Sequence, residues 1–198
     1  MPPNKLLLLP LRGWDFRYAA LHSGPKARRY HLRGNSILNK TPMILLLVGV
    51  LASSLVSAQT PVQAAPDQQH LLASSDPKLA ANKQLVYDFW REVFEGGHLE
   101  LADKYLAESY IQHNPNVPSG RIGFVKFFSK FSTPKPIEDI VKAPLVSIVA
   151  EGDLVVLTFV KEIADPKYAE QKYTTTWFDM FRIKDGKITE HWDPALKQ

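Results

Sequence analysis

The sequence predicts an α+β fold: a curved antiparallel sheet with three N-terminal helices packed over one face. Two observations carry this. Between residues 82 and 131 apolar side chains recur at helical spacing, whereas after Pro136 they fall into β-branched runs punctuated by turn residues. Helices that all precede the strands pack on one face of an antiparallel sheet rather than as crossovers of a parallel one.

Residues 82 to 95 set Leu85, Val86, Phe89, Trp90 and Val93 on one stripe, with Lys83, Asp88, Arg91 and Glu92 between them. Asn82 is the expected N-cap, and Gly96-Gly97 ends the helix by offering a left-handed position without steric cost. Leu99, Leu101, Ala102, Tyr105 and Leu106 make a second, shorter helix. A third runs from about Gly120 to Phe131 on Ile122, Phe124, Val125, Phe127 and Phe128, and Pro134 and Pro136 stop it. Residues 137 to 150, with Ile137, Ile140, Val141, Leu145, Val146, Ile148 and Val149, read as the first strand, Pro144 suggesting an edge position or a bulge. Glu151-Gly152-Asp153 is a turn, and Leu154 to Ile163 has the β-branched content of a central strand. Tyr173 to Ile183 and Ile188 to Asp193 are hairpin partners across Asp185-Gly186.

The segment before this domain reads as a leader, residues 1–58. Residues 43 to 56 are apolar and uncharged, and Ser57-Ala58-Gln59 follows with small residues at Val56 and Ala58, the form of a signal peptide at 43–58 with its cleavage site. A membrane anchor is the alternative, but a spanning helix needs about 20 apolar residues, so no stable membrane insertion is expected after cleavage. Residues 1–42 form a basic upstream segment: either an unusually long n-region or sequence ahead of a true start at Met43, the preferred reading. Residues 59–77 are polar, alanine-rich and broken by prolines, and are expected to be a flexible linker. The folded domain is then 78–198.

This partition reverses the meaning of the charge. The whole chain is +4, but eight of its 24 basic residues and one of its 20 acidic residues precede residue 59. The remainder is mildly acidic, at −3. Nucleic-acid binding thereby loses its electrostatic support. The absence of cysteine excludes disulfides, thiolate metal sites and a cysteine nucleophile.

Two polar-aromatic runs carry the candidate chemistry: Tyr110-Ile111-Gln112-His113-Asn114 and Glu190-His191-Trp192-Asp193. Hairpin register decides what joins them. A two-residue loop pairs Lys184 with Lys187 and sets Asp179 opposite Trp192. A bulged turn at Gly186 pairs Ile183 with Lys187, setting Asp179 opposite His191 and Trp177 opposite Asp193. A slip of one residue exchanges faces. Both turns accept Asp-Gly; the bulged one is favoured because it gathers Trp177, Asp179, Phe181, His191 and Asp193 into one aromatic-walled concavity.

Several features together resemble the SnoaL-like polyketide cyclases of the nuclear transport factor 2-like superfamily, in the branch described as aldol-condensation-like, over residues 82 to 193. They are Tyr110-Ile-Gln-His-Asn-Pro115, Gly120 with Gly123-Phe124 and Phe127-Phe128, Val149-Ala-Glu-Gly-Asp-Leu-Val-Val156, Phe178-Asp-Met-Phe-Arg182, Asp185-Gly-Lys-Ile188 and Glu190-His-Trp-Asp193. The resemblance implies a cone-shaped barrel, a deep pocket between helices and sheet, a homodimer, no metal or organic cofactor, and an acidic acid/base group acting on a carbonyl substrate. It also implies that a given member can lack any known activity.

With that resemblance, His113, Asp179, His191 and Asp193 are the candidate catalytic residues. His191 oriented by Asp179 would be a base near neutral pH; the alternative is a structural cross-strand pair. Asp193 would serve if burial raised its pKa, or else it caps the C-terminus. His113 and Asn114 would polarise a carbonyl oxygen, or else cap a turn. Tyr110 would donate to an oxyanion, or else sit in the core rim. Trp90, Phe124, Trp177 and Phe181 would line the substrate site, while most such aromatics simply fill cores. A metal would need three convergent ligands, and His113, His191 and Asp179 would converge only by accident of register, so none is expected. An Asp-Arg-Asp epoxide-opening set is excluded for Asp179 and Arg182, whose odd separation points them oppositely. The expected function is cofactor-free acid/base chemistry on a small hydrophobic carbonyl compound: aldol-type condensation, cyclisation or isomerisation. The alternative is a non-catalytic binding or dimerising accessory domain of the same fold.

Overall fold

The structure, a computed structural model, describes residues 59 to 168 and 170 to 198; the leader and its signal peptide lie outside the described residues. Four α-helices and five strands are described: α1 (Gln68–Leu72), α2 (Pro77–Asp88), α3 (Ala102–Tyr105), β1 (Leu106–Gln112), α4 (Arg121–Phe128), β2 (Leu145–Glu151), β3 (Leu154–Ala164), β4 (Lys172–Lys184) and β5 (Lys187–Trp192). The strands form one sheet in the order β1-β5-β4-β3-β2. All neighbours are antiparallel except β1 and β5, which run parallel.

The long helix begins earlier than its apolar stripe. Asp76 caps it, its carboxylate accepting from Lys78 N at 2.8 Å and Leu79 N at 3.3 Å, and Pro77 occupies the first turn. An Asp N-cap contributes about 1 kcal/mol. Asn82, the expected cap, lies instead within the helix and is buried. Residues Phe89–Glu95 continue α2 as a π-helical turn. Gly97 ends it at φ 73°, where a Cβ would stand 2.7 Å from the Thr133 carbonyl oxygen, so a side chain is excluded there twice over.

Residues 59–77, expected as a free tether, are packed along the domain. Val62 N donates to Thr174 Oγ1 at 2.8 Å and Ala65 N to the Leu145 carbonyl at 2.8 Å. Leu72 of α1 joins the core. Part of the reason is the open edge of β2, where the Leu145 carbonyl accepts from this segment.

Between helices and sheet lies an aromatic core. Phe89 packs against Phe181, Phe124 and Tyr105 with ring centroids about 6 Å apart, and Trp90 stacks on Phe159 at 4.6 Å. Burying one such ring contributes roughly 1.5–3 kcal/mol. The inner face of the sheet alternates along β4 as Trp177, Asp179, Phe181 and Ile183, paired in β3 with Phe159, Leu157 and Val155 opposite the first three. A single carboxylate thus occupies a row of apolar side chains.

The hairpin takes the two-residue loop, the alternative not favoured, and the register beyond it matches neither expectation. Asp185 and Gly186 take φ 51° and 70°, a two-residue loop with Lys184 paired to Lys187 and Ile183 to Ile188. The favoured bulge at Gly186 is therefore absent. A bulge occurs instead inside β5: Thr189 has no counterpart, and beyond it Arg182 pairs with Glu190, Phe181 with His191 and Met180 with Trp192. One extra residue reverses the faces. It returns His191 to the inner face, but opposite Phe181, with Asp179 diagonal to it.

Candidate active site

β1 brings the first polar run to the sheet. Its period of two sends Tyr110 and Gln112 inward, while Ile111 is exposed and His113 leaves on the outer side. Gln112 pairs with His191 across the parallel β1–β5 ladder, and His113 N donates to the His191 carbonyl at 3.0 Å. The sequence pattern leaves residues 110 to 114 outside the predicted strands, as a polar-aromatic run after a helix. Reading them as a strand would have selected Gln112 over His113.

The inner cluster is built around Asp179, 2% exposed, and His191, 7% exposed. His191 Nε2 lies 2.9 Å from Asp179 Oδ1, and its Nδ1 lies 2.8 Å from Gln112 Oε1. The His191 ring tilts on Phe181 with centroids 4.7 Å apart. Gln112 Oε1 also accepts from Asn114 N at 3.0 Å, and its Nε2 donates to Tyr110 Oη at 3.0 Å. Asn114 is buried; its Nδ2 donates to Asp193 Oδ2 at 2.8 Å and its Oδ1 accepts from Asn116 N. Asp193 Oδ1 accepts from Ala195 N at 2.8 Å.

Burial pushes the Asp179 carboxyl up from its ordinary value; its bond to His191 opposes this, the charge of Asp193 adds to it, and the Trp177 indole opposes it. Asp179 Oδ2 is buried without a hydrogen bond of normal length. Burial, then the charges of Asp193 and Asp179, push the Tyr110 hydroxyl far up, so it stays protonated. A buried carboxylate with one oxygen free of short hydrogen bonds, beside an imidazole and a protonated phenol, can take up and return a proton.

The remaining predicted residues separate. His113 is on the other side of the sheet, stacked face to face on Trp192 at 4.7 Å, with Nε2 3.2 Å from Glu190 Oε2. Strand parity keeps it from the Asp179 cluster. Trp90 is core: it stacks on Phe159 and donates to Glu95 Oε1 at 3.2 Å. Phe124 meets the Tyr110 ring edge-on at 6.1 Å, Phe181 underlies His191, and Trp177 is partly buried with Lys161 Nζ 3.9 Å over its ring. Arg182 is on the outer face, bound to Asp153 and Glu190, so it does not join Asp179, as its odd spacing predicts.

Among the described residues, Asp179, His191 and Asp193 offer ligand atoms within 4.8 Å of one another. All three are engaged in the hydrogen bonds just given. Asp193 takes the place beside Asp179 and His191 that the sequence reading had considered for His113. Two surface hollows lie elsewhere: one of about 280 Å³ beside Ala102, Arg121 and Val125, and one of about 190 Å³ beside Phe94, Gly97 and Phe131. At the dyad the His191 ring lies against Phe181.

The chain is similar in structure to TsrD from Streptomyces laurentii (24% identity, 61% of this chain and 90% of that one, TM-score 0.37). It is also similar to an LEH-like epoxide hydrolase from M. tuberculosis (13%, 59% and 84%, TM-score 0.43) and to an NTF2-like protein of unknown function from Burkholderia pseudomallei (16%, 57% and 88%, TM-score 0.37). No curated protein matches it. The sequence profile described as SnoaL-like polyketide cyclase matches residues 84–195, from within α2 to just past Asp193. The chain therefore belongs to the SnoaL-like polyketide cyclase family, with the α+β fold of a curved sheet under helices that its sequence predicts.

Proposed function

We propose that this protein is an exported, cofactor-free enzyme that moves a proton next to the carbonyl of a small hydrophobic compound, in an aldol-type condensation, cyclisation or isomerisation. The observation that carries the reading is Asp179: a carboxylate buried in an apolar row, hydrogen-bonded to His191 through one oxygen and with no short hydrogen bond at the other. In the proposed reaction Asp179 Oδ2 takes the proton from the carbon beside the carbonyl. The Tyr110 hydroxyl donates to the carbonyl oxygen as negative charge builds there, a role suited to a phenol that burial keeps protonated. Asn114 and Asp193 hold the ends of β1 and β5 together around the cluster. Phe124, Phe181 and Trp177 supply apolar walls. Export rests on the signal-peptide pattern at 43–58.

Deuterium uptake at the activated carbon of β-dicarbonyl compounds in D2O, followed by NMR, tests the chemistry without knowledge of the natural substrate. Catalysed exchange by the full-length chain above buffer and above Asp179→Asn is the expected result; equal rates would reject the reading. The burial of the dyad favours a second reading, a non-catalytic accessory domain of the same fold that dimerises or binds hydrophobic compounds away from the pair. That reading predicts thermal stabilisation by such compounds with no exchange. The homodimer we propose would form on the outer sheet face, where Val149, Phe178 and Ile111 are exposed. Light scattering on Phe178→Glu would then give the mass of a monomer and on the parent that of a dimer.

A further inference from the structure

The hydrogen bonds around Gln112 have only one consistent polarity. The backbone N–H of Asn114 can only donate, and it meets the Gln112 side chain at 3.0 Å. The Gln112 atom there is therefore the carbonyl oxygen; turning the amide would set an NH2 group against an N–H. That same oxygen lies 2.8 Å from His191 Nδ1. A carbonyl oxygen only accepts, so Nδ1 carries a hydrogen. The tautomer with its hydrogen on Nε2 alone is excluded, because it would set two lone pairs together at Nδ1.

Nε2 then faces Asp179 Oδ1 at 2.9 Å. With no proton between them, two more lone pairs would oppose each other where water does not reach. One proton has to lie on this line, on either atom. We propose that Gln112 is a positioning residue that fixes His191 as an Nδ1–H donor, so that His191 Nε2 and Asp179 Oδ1 hold one shared proton. The pair is neutral in that state. When a carbon acid gives its proton to Asp179 Oδ2, the pair holds two and becomes +1, while the electron pair of the broken C–H bond stays on the substrate as an enolate of charge −1. Return of the proton restores both. Gln112 thus sets the charge the pair presents to the substrate, without touching it. Among the described residues, the other titratable groups facing the pair are Tyr110 from β1 and Asp193 beyond β5.

The inference deepens the acid/base reading, yet its test reads the ring nitrogens and not turnover. The full-length chain is labelled with 15N-histidine, and the His191 signals are identified by their loss in His191→Gln. Two-bond 15N–1H spectra between pH 5.5 and 8.5 are expected to show Nδ1 protonated throughout. Gln112→Met removes the acceptor and is expected to release the Nε2–H tautomer as pH rises. Gln112→Glu keeps an acceptor and is expected to restore the parent pattern. In turnover, Gln112→Met should lower kcat with little change in KM, and Gln112→Glu should recover it in part. A parent His191 with Nδ1 unprotonated at pH 7 overturns the proposal, as does a Gln112→Met spectrum identical to the parent. If no carbonyl compound is turned over while Nδ1 stays protonated, the functional reading falls and this one stands.

Discussion

Two histidine–carboxylate pairs stand back to back at the end of this sheet. On the inner face His191 meets Asp179 at 2.9 Å, with side chains 9% and 3% exposed. On the outer face His113 meets Glu190 at 3.2 Å, with side chains 41% and 24% exposed. The two histidines even share a backbone hydrogen bond. Their chemistry is the same on paper and opposite in consequence. Outside, solvent screens the pair, a second ring (Trp192) covers the imidazole, and an exposed ion pair contributes about 0–1 kcal/mol. Inside, neither partner can be hydrated, so each determines the protonation of the other. Burial, rather than residue type, separates a proton-transfer group from a surface contact.

The most drastic way to break the comparison is to exchange the faces. Inserting an alanine between Glu190 and His191 adds one residue to β5 and, by strand parity, turns Trp192 inward and His191 outward. Asp179 is then left buried without its partner, at a cost of about 3–5 kcal/mol. Urea unfolding should show that loss or no cooperative transition at all, whereas an unchanged midpoint would mean that the strand absorbs the added residue without exchanging faces. Next in size is His191→Ala, which removes the partner in place. Deuterium exchange should fall by about 10²–10⁴-fold, the usual contribution of a positioned acid/base group.

A subtler contrast lies in pH. Burial raises Asp179, so the folded state holds that proton more tightly than the unfolded chain does. Its contribution to stability is fully present below the ordinary carboxylate value of 3.8 and is lost as pH rises through the folded value. The stability of the parent minus that of Asp179→Asn should therefore decline as pH rises from 4 towards 7. The smallest effect belongs to His113→Ala: within about 1 kcal/mol in stability and with exchange rates close to those of the parent.

Much of this site was legible in the chain, and the failures share a cause. The period change after Pro136, the Asp-Gly hairpin and the alternation along β4 placed Trp177, Asp179 and Phe181 on one face correctly. The grouping of His191 and Asp193 with Asp179 was also right, but for another reason. The expected bulge at Gly186 and the observed bulge at Thr189 have the same parity effect, and no residue in Lys187-Ile-Thr-Glu-His-Trp192 marks where an extra residue enters a strand. His113 was misplaced because a short edge strand following directly on α3 has no turn residue to announce it. Tyr110, Ile111 and Gln112 read equally well as loop. Asn82 was mistaken for a cap because a stronger one, Asp76 followed by Pro77, stands six residues earlier. The tether at 59–77 was read from composition alone, which cannot register that β2 leaves an open edge for it.

The central claim is that the inner pair, and not the outer one, moves protons. Initial rates of carbon-bound deuterium exchange, measured side by side on the same β-dicarbonyl compound, test it most directly. Asp179→Asn should lose about 10²–10⁴-fold relative to the parent, and His113→Ala should stay near the parent rate. Equal rates for the two variants, or a greater loss in His113→Ala, would contradict the account.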